Sequence, residues 1–149
     1  MSNFQTYIHR DEAKRSLQQA MGLLQPEDFC ALFPFNFGNF LKYALRAPFR
    51  GAYSPNVASS LDDYAYALRS LERARRDLST MPWFSEALIV YSPFASCFEN
   101  QWVRKAMPIT ATRITEFDEA FASTAADLRQ VINEGRDHQR ELAKDGGHE

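Results

Sequence analysis

The sequence predicts an all-α protein, a compact helical bundle of about five to seven helices with a long C-terminal helix. Apolar residues recur every three or four positions through most of the chain, which is the spacing of one helical face. Prolines separate these periodic segments. With 149 residues, 45% of them hydrophobic and twelve of them phenylalanine, the chain can bury a core as one domain, 1–149, whose residues 145–149 form a frayed tail.

Two helices are predicted before the first aromatic-rich turn. The first runs from Arg10 to Gln25, and its apolar face consists of Ala13, Leu17, Ala20 and Leu24. Pro26 ends this run and starts a short helix through Phe33, because proline is well tolerated at the first position of a helix.

The next predicted helix follows Pro34, with Asn36 as its N-cap. Its apolar stripe follows the i, i+3, i+4, i+7, i+8 pattern: Phe37, Phe40, Leu41, Ala44 and Leu45. The segment from Pro48 to Pro55 contains two prolines, a glycine and a serine, which are turn-forming residues. We therefore predict a loop there.

A long helix is predicted from about Val57 to Ser79, with charged pairs spaced four apart on its outer face. Its apolar stripe consists of Leu61, Tyr64, Leu68, Leu71 and Leu78. Pro82 to Ser92 combines a β-prone run with a helical apolar face, and we interpret it as helix because an isolated strand has no partner. Ser92 and Pro93 are then predicted to start another helix, which Pro108 closes.

The last helix is predicted from about Thr110 to Lys144. Steps of three and four alternate along it and form a heptad-like seam: Ile114, Phe117, Phe121, Thr124, Leu128, Val131, Gly135, His138 and Leu142. We expect this seam to be core in its first half, with self-association through Phe117, Phe121, Leu128 and Val131 as the alternative. Apolar character fades after Ile132, and Gly135 should weaken the helix there by about 1 kcal/mol.

The sequence offers no catalytic, cofactor or metal signature. The glycines are scattered, Cys30 and Cys97 form no CxxC pair, and no nucleophile motif occurs. Glu134, His138 and Glu141 share a predicted helix, but their order does not match a helical carboxylate–histidine metal site. No export signal is evident, and even the longest apolar runs, such as Ala87 to Tyr91, are far too short to span a membrane. We expect a cytoplasmic protein with reduced thiols.

The leading functional hypothesis is a non-catalytic protein that binds a protein partner as an adaptor or inhibitor, such as a small bacterial or phage-type inhibitor of a host complex. Its motivation is the surplus of aromatics around the FPFNF sequence, where alternating rings in a turn cannot all enter one core. Aromatic and arginine side chains are enriched at interface hot spots. The predicted partner-binding residues are Phe33, Phe35, Arg46, Phe49, Arg50 and Tyr53.

The alternative hypothesis is a nucleic-acid-binding regulator. A net charge of −2 gives no bulk attraction to a polyanion, so a local surface would have to supply it. Basic residues in the aromatic-rich window and on one face of the long helix could contact phosphates: Lys42, Arg46, Arg50, Arg69, Arg73 and Arg76. A third hypothesis, an enzyme with a cryptic cysteine or carboxylate site, requires a pocket holding a group with a shifted pKa.

Overall fold

The computed structural model describes residues 26–53 and 57–146. Over these residues it is all α, with six helices and no strand, as predicted. The helices are α1 (Pro26–Cys30), α2 (Phe35–Tyr53), α3 (Val57–Thr80), α4 (Pro82–Ala95), α5 (Gln101–Ala106) and α6 (Ile114–Gly146). The predicted helix from Arg10 to Gln25 and residues 147–149 of the predicted tail lie outside the described part.

Helix α3 packs against both α2 and α6. Between α2 and α3, Asn36 contacts Asp77 and Arg46 contacts Asp63, so the start of one helix lies beside the end of the other. Between α3 and α6, Arg75 contacts Asp118 and Leu61 lies beside Gly135, which is the same arrangement. Both pairs are therefore antiparallel. The predicted stripe of α2 is buried throughout, and it meets the buried seam of α6. Periodicity alone identified these core faces, except for Ile114 at the start of the seam, which is 42% exposed.

Phenylalanine rings form the centre of the core. The Phe37 ring lies 5.1 to 5.4 Å, centroid to centroid, from the rings of Phe33, Phe40, Phe84 and Phe121. These rings come from α2, the turn before it, α4 and α6. The numerous aromatic side chains therefore serve largely to pack the helices against one another.

The predicted loop from Pro48 to Pro55 is wrong for its described part, because α2 continues through Pro48 to Tyr53. Proline has no N–H, so the carbonyl of Ala44 loses its normal helical donor. The Nδ2 group of Asn100 donates to that carbonyl instead, at 2.8 Å. A side chain 56 residues away therefore makes a proline tolerable inside this helix.

Two predicted helix starts are also wrong. α2 begins at Phe35, and Asn36 is not its N-cap but donates through Nδ2 to Asp77 Oδ2 on α3, at 3.1 Å. Residues 82–92 are helical as predicted, but no new helix starts at Ser92 and Pro93, because α4 continues to Ala95. The Ser92 hydroxyl donates back to the carbonyl of Leu88.

Helix α6 divides into a packed half and a solvated half, as predicted. Phe117, Phe121 and Leu128 are fully buried, so they are not available for self-association. Val131 is partly buried against the same core, and Leu142 is exposed. Gly135 has a packing role that its helix propensity does not reveal. A Cβ atom there would lie 2.4 Å from Leu61 Cδ2, so the missing side chain is what lets α6 approach α3 this closely.

Candidate anion-binding surface

The predicted partner-binding residues do not form one described surface. The Phe33 ring is only 5% exposed and packs edge-on against Phe29 and Phe37, so its place in that prediction is wrong. Phe35, by contrast, is 79% exposed. The side chains of Phe49, Arg50 and Tyr53 lie outside the described part, although the backbone of all three belongs to α2.

Arg46 has a structural partner on the neighbouring helix. Its Nε and Nη2 atoms donate to the two carboxylate oxygens of Asp63, at 3.0 and 2.9 Å. The Asp63 side chain is fully buried, whereas that of Arg46 is partly exposed. The hydrogen bonds that Arg46 donates to Asp63 raise the pKa of its guanidinium above the usual value. Arg46 therefore serves first to neutralise a buried carboxylate.

A pair of tyrosines with three cations lies where α2 meets α3. The rings of Tyr43 and Tyr66 are 5.1 Å apart. Lys42 and Arg46 lie 5.4 and 5.2 Å from the Tyr43 ring centroid, and Arg69 lies 5.4 Å from that of Tyr66. These distances are within cation–π range. We call these five residues the tyrosine patch.

An arginine-rich groove between α3 and α6 adjoins this patch and shares Arg69 with it. Its volume is about 480 Å³, within the roughly 300–1,000 Å³ of typical ligand clefts. Ala65, Leu68 and Ile132 supply apolar lining. The charged lining residues are Arg69, Glu72, Arg73 and Arg76 of α3 and Arg129 and Arg136 of α6. We call this site the arginine groove.

The arginine groove carries a strong local charge. Five arginines and one glutamate give it a formal charge of +4, in a chain whose total is −2. Within the described residues, one ion pair joins charged residues of the groove: Arg129 Nη2 lies 3.2 Å from Glu72 Oε1. Both side chains are about half exposed, at 52% and 47%, so solvent screens the pair and its net strength is small.

The structure brings together five of the six residues of the nucleic-acid hypothesis. Lys42, Arg46 and Arg69 lie in the tyrosine patch, and Arg69, Arg73 and Arg76 line the groove. The side chain of the sixth residue, Arg50, is not described.

Two further groove residues, Arg129 and Arg136, were missed by sequence reasoning. They are seven residues apart, and each directly follows a seam position, Leu128 or Gly135. A repeat of that kind flanking a packing seam was the available signal. It acquires meaning only once α3 is known to be the partner of α6.

No group of three histidine, cysteine or acidic side chains among the described residues is placed to hold a metal ion. Cys30 and Cys97 are free thiols. Burial, and secondarily the charge of Glu27, raises the pKa of the Cys30 thiol to about 12, which keeps it protonated and unreactive at neutral pH.

A separate apolar surface lies on α4, away from the arginine groove. Trp83, Ile89 and Val90 are all substantially exposed, with Val90 the most exposed at 60%.

A helix that crosses a bilayer needs a long apolar stretch, and none of the described helices contains one. No protein-family model, curated protein or solved structure matches this chain.

Proposed function

We propose that this chain is a non-catalytic binding protein and that it binds nucleic acid through the arginine groove and the adjoining tyrosine patch. The observation that carries the proposal is the convergence of Arg69, Arg73 and Arg76 with Arg129 and Arg136 on one concave site. A cytoplasmic location forms part of the proposal, since nucleic acid and free thiols are both normal there.

Guanidinium groups suit this role because they bind phosphate oxygens in a bidentate manner and remain charged at every physiological pH. Each phosphate that they neutralise releases counterions, so the affinity should fall steeply with salt concentration. The tyrosine patch offers aromatic surface beside the groove, and Tyr66 is 45% exposed. Aromatic side chains next to cations are the usual means of holding unpaired bases.

The proposal is tested by fluorescence anisotropy with labelled DNA and RNA oligonucleotides across a range of salt concentrations. We expect binding whose logarithm falls linearly with the logarithm of the salt concentration. The double variant Arg73→Glu/Arg76→Glu should abolish it. The matched control is Arg113→Glu/Arg140→Glu, which makes the same charge change at exposed positions outside the groove. Binding that is absent at low salt, or that both double variants weaken equally, contradicts the proposal.

A second candidate function is supported by the exposed apolar side chains. The side chains of Phe35, Trp83 and Val90 are 79%, 49% and 60% exposed. Exposed apolar side chains are typical of surfaces that bind other proteins. On this basis we propose, as the alternative, an adaptor or an inhibitor of a bacterial host complex. Affinity capture with nuclease treatment separates the two functions. A stoichiometric partner that survives nuclease and is lost with Phe35→Ala supports the alternative, and a partner retained by that variant does not.

A further inference from the structure

We infer that the arginine groove accepts a single strand of nucleic acid, and that Glu72 competes with the strand's phosphates for Arg129. This inference rests on the proposed function and specifies its substrate and its regulation. It depends on three features of the groove: its shape, its apolar lining and the position of its one carboxylate.

The shape of the groove favours one strand over a duplex. The arginines approach from two packed neighbouring helices, whose axes are typically about 8–10 Å apart. A duplex presents its phosphates on a stiff convex surface, whereas a flexible single strand can follow the floor of a groove between two helices. A single strand can enter the concavity and meet Arg69 and Arg73 on one side and Arg129 on the other.

The apolar lining gives unpaired bases a surface to contact. Leu68 of α3 and Ile132 of α6 line the groove together with the arginines. At its edge, Arg69 lies 5.4 Å from the ring of Tyr66. In a duplex the base faces are stacked on one another and could not reach this lining, whereas a single strand exposes them.

The Glu72–Arg129 pair occupies the groove in the free protein. Glu72 Oε1 lies 3.2 Å from Arg129 Nη2, in the place that a phosphate oxygen would take. Because both side chains are about half exposed, exchanging the carboxylate for a phosphate has a small energetic cost. Phosphate then gains a bidentate contact, while Glu72 turns to solvent. Glu72 thus lowers the affinity and favours ligands with enough phosphates to displace it.

The test is a double-mutant cycle with a labelled 12-nucleotide oligo(dT) at low salt. Glu72→Gln should raise the affinity about five-fold, the equivalent of an exposed ion pair of about 1 kcal/mol. Arg129→Gln should weaken binding, and Glu72→Gln should have little further effect in that background. The matched control, Glu86→Gln, removes the same charge from the exposed face of α4.

The outcomes separate the inference from the proposed function. Preference for oligo(dT) over a 12-base-pair duplex, with the expected coupling between Glu72 and Arg129, supports the inference. Equal binding of strand and duplex, or equal effects of Glu72→Gln and Glu86→Gln, overturns it and leaves nucleic-acid binding intact. If no oligonucleotide binds but a labelled poly-glutamate peptide does, both the inference and the proposed function fail, and the groove binds acidic protein segments.

Discussion

Asn100 holds together two helices that have no sequence proximity. Its Oδ1 accepts hydrogen bonds from the backbone N–H groups of Trp102 and Val103, at 3.0 and 3.1 Å, and so caps α5. Its Nδ2 donates to the carbonyl of Ala44, which Pro48 leaves without a helical donor. Asn100→Asp keeps the oxygen that caps α5 and removes the N–H that donates to Ala44, so it tests the Ala44 contact alone.

The expected cost of Asn100→Asp follows from that geometry. Ala44 is fully buried, so its carbonyl would be left without its donor and would face a new carboxylate. Leaving a buried polar group unpaired costs about 1–3 kcal/mol, and we expect the free energy of unfolding to fall by that amount. Asn100→Ala removes the cap as well and should cost about 1 kcal/mol more.

Urea unfolding followed by circular dichroism measures these changes, and Pro48→Ala provides the decisive background. An alanine at position 48 restores an N–H that can reach the Ala44 carbonyl by the ordinary helical bond. In that background, Asn100→Asp should cost about 1 kcal/mol less than in the wild type. An equal cost in both backgrounds would refute the argument that Asn100 replaces the donor missing at Pro48.

Three further predictions concern the core and its ion pairs. Gly135→Ala should give no net gain in urea stability in the wild type, but about 1 kcal/mol in a Leu61→Ala background, where the space for a Cβ is open. Arg46→Met should lower stability by about 2 kcal/mol because it leaves the buried Asp63 carboxylate without its guanidinium, whereas Asp63→Asn/Arg46→Met should recover part of the loss. The raised pKa of Cys30 means that the folded state holds its proton more tightly than the unfolded state, so stability should fall as pH rises from about 9 to about 12, and a Cys30→Ala variant should lack that part of the decline.

Local periodicity predicted the parts of the fold that depend on local chemistry. Phe37, Phe40 and Leu41 share a face at helical spacing, and all three are fully buried in α2. Leu71 and Leu78 of α3 behave in the same way. In these helices one apolar face meets one core, so sequence spacing and burial carry the same information.

Two of the errors arose where a distant residue overrides a local rule. Pro48 was expected to break a helix, and only the donor from Asn100 explains why it does not. Asn36 has the chemistry of an N-cap but is used across helices, on Asp77. The candidate site could not be predicted in full for the same reason, because Arg129 joins the α3 arginines only through the antiparallel packing of α3 and α6.

The phenylalanine core also bears on how this protein moves. Seven of the ten largest fully buried side chains among the described residues are phenylalanines. A phenyl ring can turn by half a revolution and regain the same structure, but in a close-packed interior it can do so only when its neighbours withdraw for a moment. Phe37 contacts four rings, one in its own helix and one each in the turn before α2, in α4 and in α6. Its rotation therefore requires the helices themselves to separate briefly. The rate of ring rotation at Phe37, measured from NMR line shapes, is therefore a direct readout of how often the whole bundle expands.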